Sequence, residues 1–145
     1  MIKKVSETDS QLLAMIHKRC FNDNWSSQAF WEMLSQDVFF GFLSMEKEAQ
    51  GFILGKMIYD EVEIITFCVL PEFRNRGIGK MLVDEVHNHA QNHFVEKIFL
   101  EVSEDNVIAE KMYENFGYVK ISRRRGYYCT RKSSSDALVM QKSIR

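Results

Sequence analysis

A strand runs into a helix across Phe67-Cys68-Val69-Leu70-Pro71-Glu72-Phe73-Arg74-Asn75-Arg76-Gly77-Ile78-Gly79-Lys80. The strand, read as Val62 to Leu70, stops at Pro71, which has no N–H to give to a ladder. The helix runs from about Gly77 to His93 and carries Ile78, Met81, Leu82, Val86 and Ala90 on one face. A helix start offers unpaired N–H groups and the positive end of the dipole, and so binds anions such as phosphate. Gly77 and Gly79 lack a Cβ and let an anion approach the backbone, while Arg74, Arg76 and Lys80 add positive charge. Two phosphate motifs fail on spacing. A Walker A loop needs Gly where Arg74 stands and Ser or Thr where Met81 stands, and a dinucleotide fingerprint needs Gly or Ala where Leu82 stands. Spacing alone also fits an ordinary strand-to-helix turn with solvated cations.

Outward from this turn the chain alternates compact elements. Met1 to Val5 reads as an edge strand. Thr8 or Asp9 caps a helix with Leu12, Leu13, Ile16 and Cys20 on its apolar face. Ser26 or Ser27 caps a second through Phe30, Met33 and Leu34. Val38 to Met45 and Gly51 to Tyr59 read as strands, the latter turning back through Tyr59-Asp60-Glu61. Beyond the helix come a strand at Val95 to Val102, a helix from Asn106 to Phe116 capped by Gly117, and strands at Tyr118 to Arg125 and Ala137 to Lys142. The order β-α-α-β-β-β-α-β-α-β-β predicts an α/β mixed sheet, with strands 62–70 and 95–102 as parallel neighbours.

The chain's 145 residues allow one domain, taken as 1–145. Lys and Arg total 19 and Asp and Glu 20, so the net charge is −1 and argues against binding nucleic acid or membrane by bulk charge. Apolar residues make up 46% and charged ones 27%, a globular composition. Cys20, Cys68 and Cys129 are widely spaced with no CxxC pair, which predicts neither a disulfide framework nor a zinc site and suits a reducing, cytoplasmic setting. No apolar leader or membrane-length run is visible.

Arg74-Asn75-Arg76-Gly77-Ile78-Gly79 resembles the Arg/Gln-x-x-Gly-x-Gly/Ala signature of the Gcn5-related N-acetyltransferases (GNAT). Phe67-Cys68-Val69-Leu70-Pro71 resembles the strand before it. Phe99-Leu100-Glu101-Val102-Ser103-x-x-Asn106 and Met112-Tyr113-Glu114-Asn115-Phe116-Gly117-Tyr118 are similar to the family's later strand and helix. Within the family the similarity is greatest to the RimI-type enzymes, which acetylate the N-terminal alanine of a small-subunit ribosomal protein; Arg124-Arg125-Gly126-Tyr127-Tyr128 resembles their Arg-Arg-x-Tyr-Tyr. The resemblance covers most of 25–142, most strongly 64–128. It implies the acyl-CoA N-acyltransferase fold, a mixed sheet of about seven strands with four helices. It implies acetyl-CoA as cosubstrate, with the pyrophosphate on the loop Arg74 to Lys80. The pantetheine arm would lie along Phe67, Cys68 and Val69, as an added strand on an unpaired edge, and Asn106 would bond the arm. The competing role for Asn106 is a helix N-cap.

Amine acetylation requires a base, a polarised thioester carbonyl and an acid for the departing thiolate. Glu101 is the base candidate: it stands alone among apolar residues in Ile98-Phe99-Leu100-Glu101-Val102, and a desolvated carboxylate accepts a proton more readily near neutrality. The competing reading has it facing solvent or paired with an arginine. The resemblance gives Glu101 the role of proton acceptor and Tyr113 that of proton donor; a phenol is protonated at neutral pH, though a Tyr here equally suits the core. The Val69 N–H is the candidate donor to the thioester oxygen. Tyr127 and Tyr128 would line the peptide site, followed here by Cys129 where the resembling enzymes often carry Pro.

Asp60, Glu61, Glu63 and Glu72 cluster in sequence, and Glu61 and Glu63 are candidate readers of a cationic acceptor. Cys68 invites an acetyl-cysteine route, but nothing near it in sequence lowers its pKa. His89 and His93 have helical spacing without the Glu or third ligand of a metal site, and read as a solvated face. The run Arg123 to Arg125, with Arg131 and Lys132, offers contact with ribosomal RNA or the CoA 3′-phosphate, although a basic run is usually solvated. The expected protein is an N-acetyltransferase that uses no metal, acts on a protein N-terminus in a ternary complex, contacts neither nucleic acid nor membrane directly, and is a monomer or weak dimer. The alternatives are a small-molecule amine or lysine side chain as acceptor, or an acyl-CoA sensor without turnover.

Overall fold

The computed structural model describes residues 1–129 and 134–144, with backbone alone at 127–129 and 134. The strands are β1 (Ile2–Lys4), β2 (Phe39–Met45), β3 (Ala49–Ile58), β4 (Glu61–Val69), β5 (Lys97–Ser103), β6 (Val119–Cys129) and β7 (Ser134–Ser143). The α-helices are α1 (Ser10–Cys20), α2 (Ser27–Leu34), α3 (Ile78–Asn92) and α4 (Val107–Asn115). The strands form one mixed sheet in the order β1-β2-β3-β4-β5-β7-β6. β4 and β5 are parallel, as the intervening helix requires, and the other neighbours are antiparallel.

Both faces of the sheet are covered. On one, Phe52, Leu54 and Leu43 pack with Leu13 and Ile16 of α1 and Phe30 of α2. On the other, Ile53, Val62, Ile98 and Leu100 pack with Leu82, Val83 and Val86 of α3 and Tyr113 of α4. Successive residues Phe52, Ile53 and Leu54 therefore enter opposite cores, which is why this strand reads as a continuous apolar run. Truncating Phe30, fully buried in the first core, would cost about 3–5 kcal/mol.

Several local expectations change. Ser26 is the cap of α2, its hydroxyl accepting the Ala29 N–H at 3.1 Å. Met81, expected on the buried face of α3, is 46% exposed, and Val83 is buried in the same helix. Strands 118–125 and 137–142 extend to Cys129 and back from Ser134, so Ser134 to Asp136, read as a polar connection, belong to β7. Asp136 accepts the Gly126 N–H at 2.8 Å across this hairpin, a pairing that overrides weak strand propensity. β7 lies between β5 and β6, which leaves β6 at the sheet's edge. No helix among the described residues is long and apolar enough to cross a membrane.

One irregularity shapes the centre. β3 and β4 pair Leu54 with Thr66 but Gly55 with Ile64, which leaves Ile65 as an extra residue. A bulge of this kind bends its strand and shifts the alternation of side chains by one. Val62 and Ile64 face α3 before it. After it Phe67 and Val69 pack toward that core, while Cys68 and Leu70 join the core of α1 and α2.

Candidate active site

Pairing between β4 and β5 runs only from Glu61–Lys97 to Ile64–Leu100. It stops where the bulge bends β4, and a wedge opens between the remaining halves of the two strands. The Leu70 N–H donates to the Gln50 carbonyl of β3 at 2.9 Å. Antiparallel alternation then turns the backbone groups of Phe67 and Val69 away from β3, toward the wedge, and those of Cys68 toward its β3 partner Phe52. Of the three strand residues expected to meet the cosubstrate, Phe67 and Val69 thus offer a free edge and Cys68 does not. The Val69 N–H has the orientation expected of a donor to a carbonyl in the wedge.

The glycine-rich turn closes one end of the wedge. Pro71–Phe73 makes a 3-10 turn, Asn75 has φ 64°, and Gly77 caps α3 at φ 81°. The left-handed φ alone calls for glycine at 77, because a Cβ there would meet nothing within 4 Å. Gly79 serves close approach instead: a Cβ there would sit 3.2 Å from the Phe67 ring, tight enough that the ring would have to give. The helix start is thereby held against the open edge of β4. The first helical bond is Met81 N–H to the Gly77 carbonyl, so the N–H groups of Ile78, Gly79 and Lys80 point out of the helix end. Arg74 Nε donates to the Val69 carbonyl at 2.9 Å, the Arg76 guanidinium lies 5.5 Å from the Phe73 ring centroid, and Lys80 pairs with Asp84 at 3.0 Å. Two glycines, three outward N–H groups and three nearby cations fit a pyrophosphate, and the free edge fits an amide-bearing arm.

Tyr113 stands at the α3 and α4 side of the wedge. It is 7% exposed, and its ring meets Phe67 edge-on at 6.4 Å and Tyr118 at 5.6 Å. Burial pushes its phenol well above the usual tyrosine range, so it holds its proton at neutral pH. Asn106 is the cap of α4, its Oδ1 accepting the Ala109 N–H at 3.2 Å.

Glu101 lies on the opposite face. Alternation along β5 buries Ile98, Leu100 and Val102 and turns Phe99 and Glu101 the other way. There Glu101 lines a cavity of about 340 Å³ with Lys56, Ile58, Glu61, Val62, Glu63, Phe99, Leu100 and Val139. The structure thus brings Glu61 and Glu63 to the base candidate. The expectation of a carboxylate desolvated among apolar neighbours is corrected: the Glu101 side chain is 25% exposed and accepts Arg124 Nη1 at 2.6 Å. Its apolar sequence neighbours belong to the other face of the strand.

The remaining candidates separate. Glu72 lies apart from the acidic cavity and pairs with Arg19 at 2.7 Å. Cys68 is buried, and its hydrogen bond with Cys20, with burial, pushes its thiol well up, which removes the thiolate an acetyl-cysteine route needs. His89 is not a solvated residue: it stacks on Phe40 at 4.1 Å and on His93 at 4.1 Å, and burial, with His93 and Lys4, lowers its pKa to about 4. Arg123 pairs with Glu104 and Asp136. The side chains of Tyr127 and Tyr128, and all of Arg131 and Lys132, lie outside the described residues. Sequence reading missed Lys56, Ile58 and Val139 as cavity walls and Arg124 as the partner of Glu101. The parity of Lys56 and Ile58 on β3 was a usable signal for the first two. It also missed His17, buried against Phe21 and Trp25, whose Nδ1 accepts the Trp25 N–H at 3.2 Å.

Residues 11–118 match the Acetyltransferase (GNAT) family. The chain is 27% identical over 139 residues, 96% of its length and 94% of the other, to the [ribosomal protein bS18]-alanine N-acetyltransferase of Salmonella typhimurium. The crystal structure of the ribosomal-protein-S18-alanine N-acetyltransferase from Escherichia coli superposes with a TM-score of 0.93 at 24% identity, covering 99% of this chain and 93% of that one. That of Arabidopsis thaliana NAA60 in complex with acetyl-CoA does so with a TM-score of 0.85 at 21% identity, covering 99% and 98%.

Proposed function

The chain belongs to the acetyltransferase (GNAT) family, and on that premise we propose that it moves the acetyl group of acetyl-CoA onto the α-amine of a protein N-terminus, the N-terminal alanine of a small-subunit ribosomal protein. The observation that carries this reading is the wedge itself. It opens between a strand edge and helix start suited to a nucleotide thioester and, through the sheet, an acidic cavity suited to an ammonium group. The alanine acceptor follows the name of the Salmonella relative, which spans nearly the whole chain.

Acetyl-CoA supplies a thioester carbonyl as the acyl donor. Phe67 and Val69 bind its arm through their backbone, and the Val69 N–H polarises the carbonyl oxygen. The turn Arg74 to Lys80 holds the phosphates. Glu61 and Glu63, on the wall of the cavity, draw the acceptor in as a cation. Glu101, through water, first takes a proton from the acceptor's ammonium; the neutral amine then forms the C–N bond, and its surplus proton leaves through the same water. Tyr113 gives its proton to the sulfur as the C–S bond breaks; a neutral phenol beside Phe67 is suited to that task. Reaction passes through a ternary complex, in keeping with the protonated Cys68 thiol.

Intact-mass analysis of peptides incubated with the protein and acetyl-CoA tests this directly. A peptide beginning Ala-Arg should gain one acetyl group at its N-terminus and release CoA. If that peptide stays unmodified while polyamines react, the acceptor is a small amine; if CoA binds and no acceptor yields free thiol, the protein is a sensor.

A further inference from the structure

The acceptor cavity is already held by a cation. Arg124 on β6 reaches across β7 to place Nη1 2.6 Å from Glu101 Oε1. Its neighbour Arg123 takes different carboxylates, Glu104 and Asp136, and Asp136 in turn binds the Gly126 N–H at 2.8 Å. The residues flanking Arg124 are therefore tied to Asp136 of β7 and to Glu104 just past β5, while its own side chain is 52% exposed and that of Glu101 25% exposed. An ion pair whose cation is half-exposed is readily exchanged for another cation. An incoming α-ammonium competes for the same carboxylate, whose Oε1 the guanidinium holds, and the nearby positive charge opposes proton uptake by Glu101 until it moves away.

We propose that Arg124 is a place-holding cation, whose guanidinium occupies the Glu101 carboxylate until the acceptor's ammonium displaces it, so that Arg124 sets how strongly cationic an amine must be to enter. This rests on the reading of Glu101 as the base. Arg124 is thus a positioning residue: it keeps the carboxylate aimed into the cavity between turnovers and acts on selectivity through Glu101. An acceptor with a neutral amine cannot compete for the carboxylate, whereas an α-ammonium can, helped by Glu61 and Glu63 on the same wall.

The test measures an Ala-Arg peptide acceptor, both as a KM with acetyl-CoA and as a Kd in the complex with CoA, in the full chain and in Arg124→Gln, Arg124→Ala, Arg124→Lys and Glu101→Gln. The expected result is that Arg124→Gln and Arg124→Ala bind the acceptor more tightly, by about two- to fivefold, the size of a part-exposed ion pair, with KM moving more than kcat. Arg124→Lys should restore the weaker binding. Millimolar methylguanidine should compete with the acceptor in Arg124→Ala but not in the unaltered protein. Unchanged or weaker acceptor binding in Arg124→Gln, or no effect of methylguanidine on Arg124→Ala, overturns the proposal even if Glu101→Gln is inactive. A Glu101→Gln variant that turns over at the unaltered rate overturns the reading of Glu101 as base, whatever the Arg124 variants show.

Discussion

The two halves of β4 share one strand and do different work. Before Ile65, Glu61 to Ile64 are paired on both sides, with β3 and β5, and turn carboxylates into the acceptor cavity. After it, Thr66 to Val69 pair with β3 but no longer with β5, and present an edge against the start of α3. A single extra residue separates a closed sheet with an acidic face from an open edge fit for an amide chain. On the proposed reading, acceptor and cosubstrate are kept apart by the faces of one sheet; Glu101 and Tyr113 stand on its opposite faces.

If that division holds, each half can be damaged without the other. Glu101→Gln should lower kcat/KM about 10²–10⁴-fold while leaving the Kd for acetyl-CoA within about twofold, measured by CoA release and calorimetry. Equal loss of cosubstrate binding would break the comparison. Tyr113→Phe keeps the ring contacts with Phe67 and Tyr118, so the melting temperature should hold while kcat falls about 10²-fold. Gly79→Val forces a branched Cβ against Phe67; it should cost about 1–3 kcal/mol in denaturant unfolding and weaken acetyl-CoA binding about tenfold. Acceptor binding should survive it.

The smallest effect lies at the edge of this division, where His89 stacks on Phe40. Its pKa is lowered from 6.5 to about 4. The unfolded chain takes up the proton first, so stability falls as pH drops from about 6.5 to about 4 and levels below that. In His89→Phe the slope of stability against pH over this window should be shallower; His17 and His87, also lowered by burial, supply a residual slope.

Much of this was legible in the chain. Pro71, Gly77 and the spacing of Ile78, Leu82, Val86 and Ala90 marked the central strand, turn and helix, and the crossover length made β4 and β5 parallel. The environment of Glu101 was not legible. Its sequence neighbours are apolar because they face α3, and its ionic partner lies 23 residues on. Reading burial from sequence neighbours fails on a strand, where adjacent residues face opposite ways. Met81 was misplaced for a similar reason, since helical periodicity fixes a stripe but not which edge of it meets the sheet.

By itself the sequence determined the elements, the phosphate turn and the residue types able to handle an amine and a thiolate, because turn chemistry, capping and periodicity act over a few residues. Only the tertiary structure decided that β7 lies between β5 and β6, that Ile65 bulges and that Arg124 meets Glu101. Each depends on which strands pair and in what register, and pairing between segments far apart in the chain is settled by packing both faces of the sheet at once.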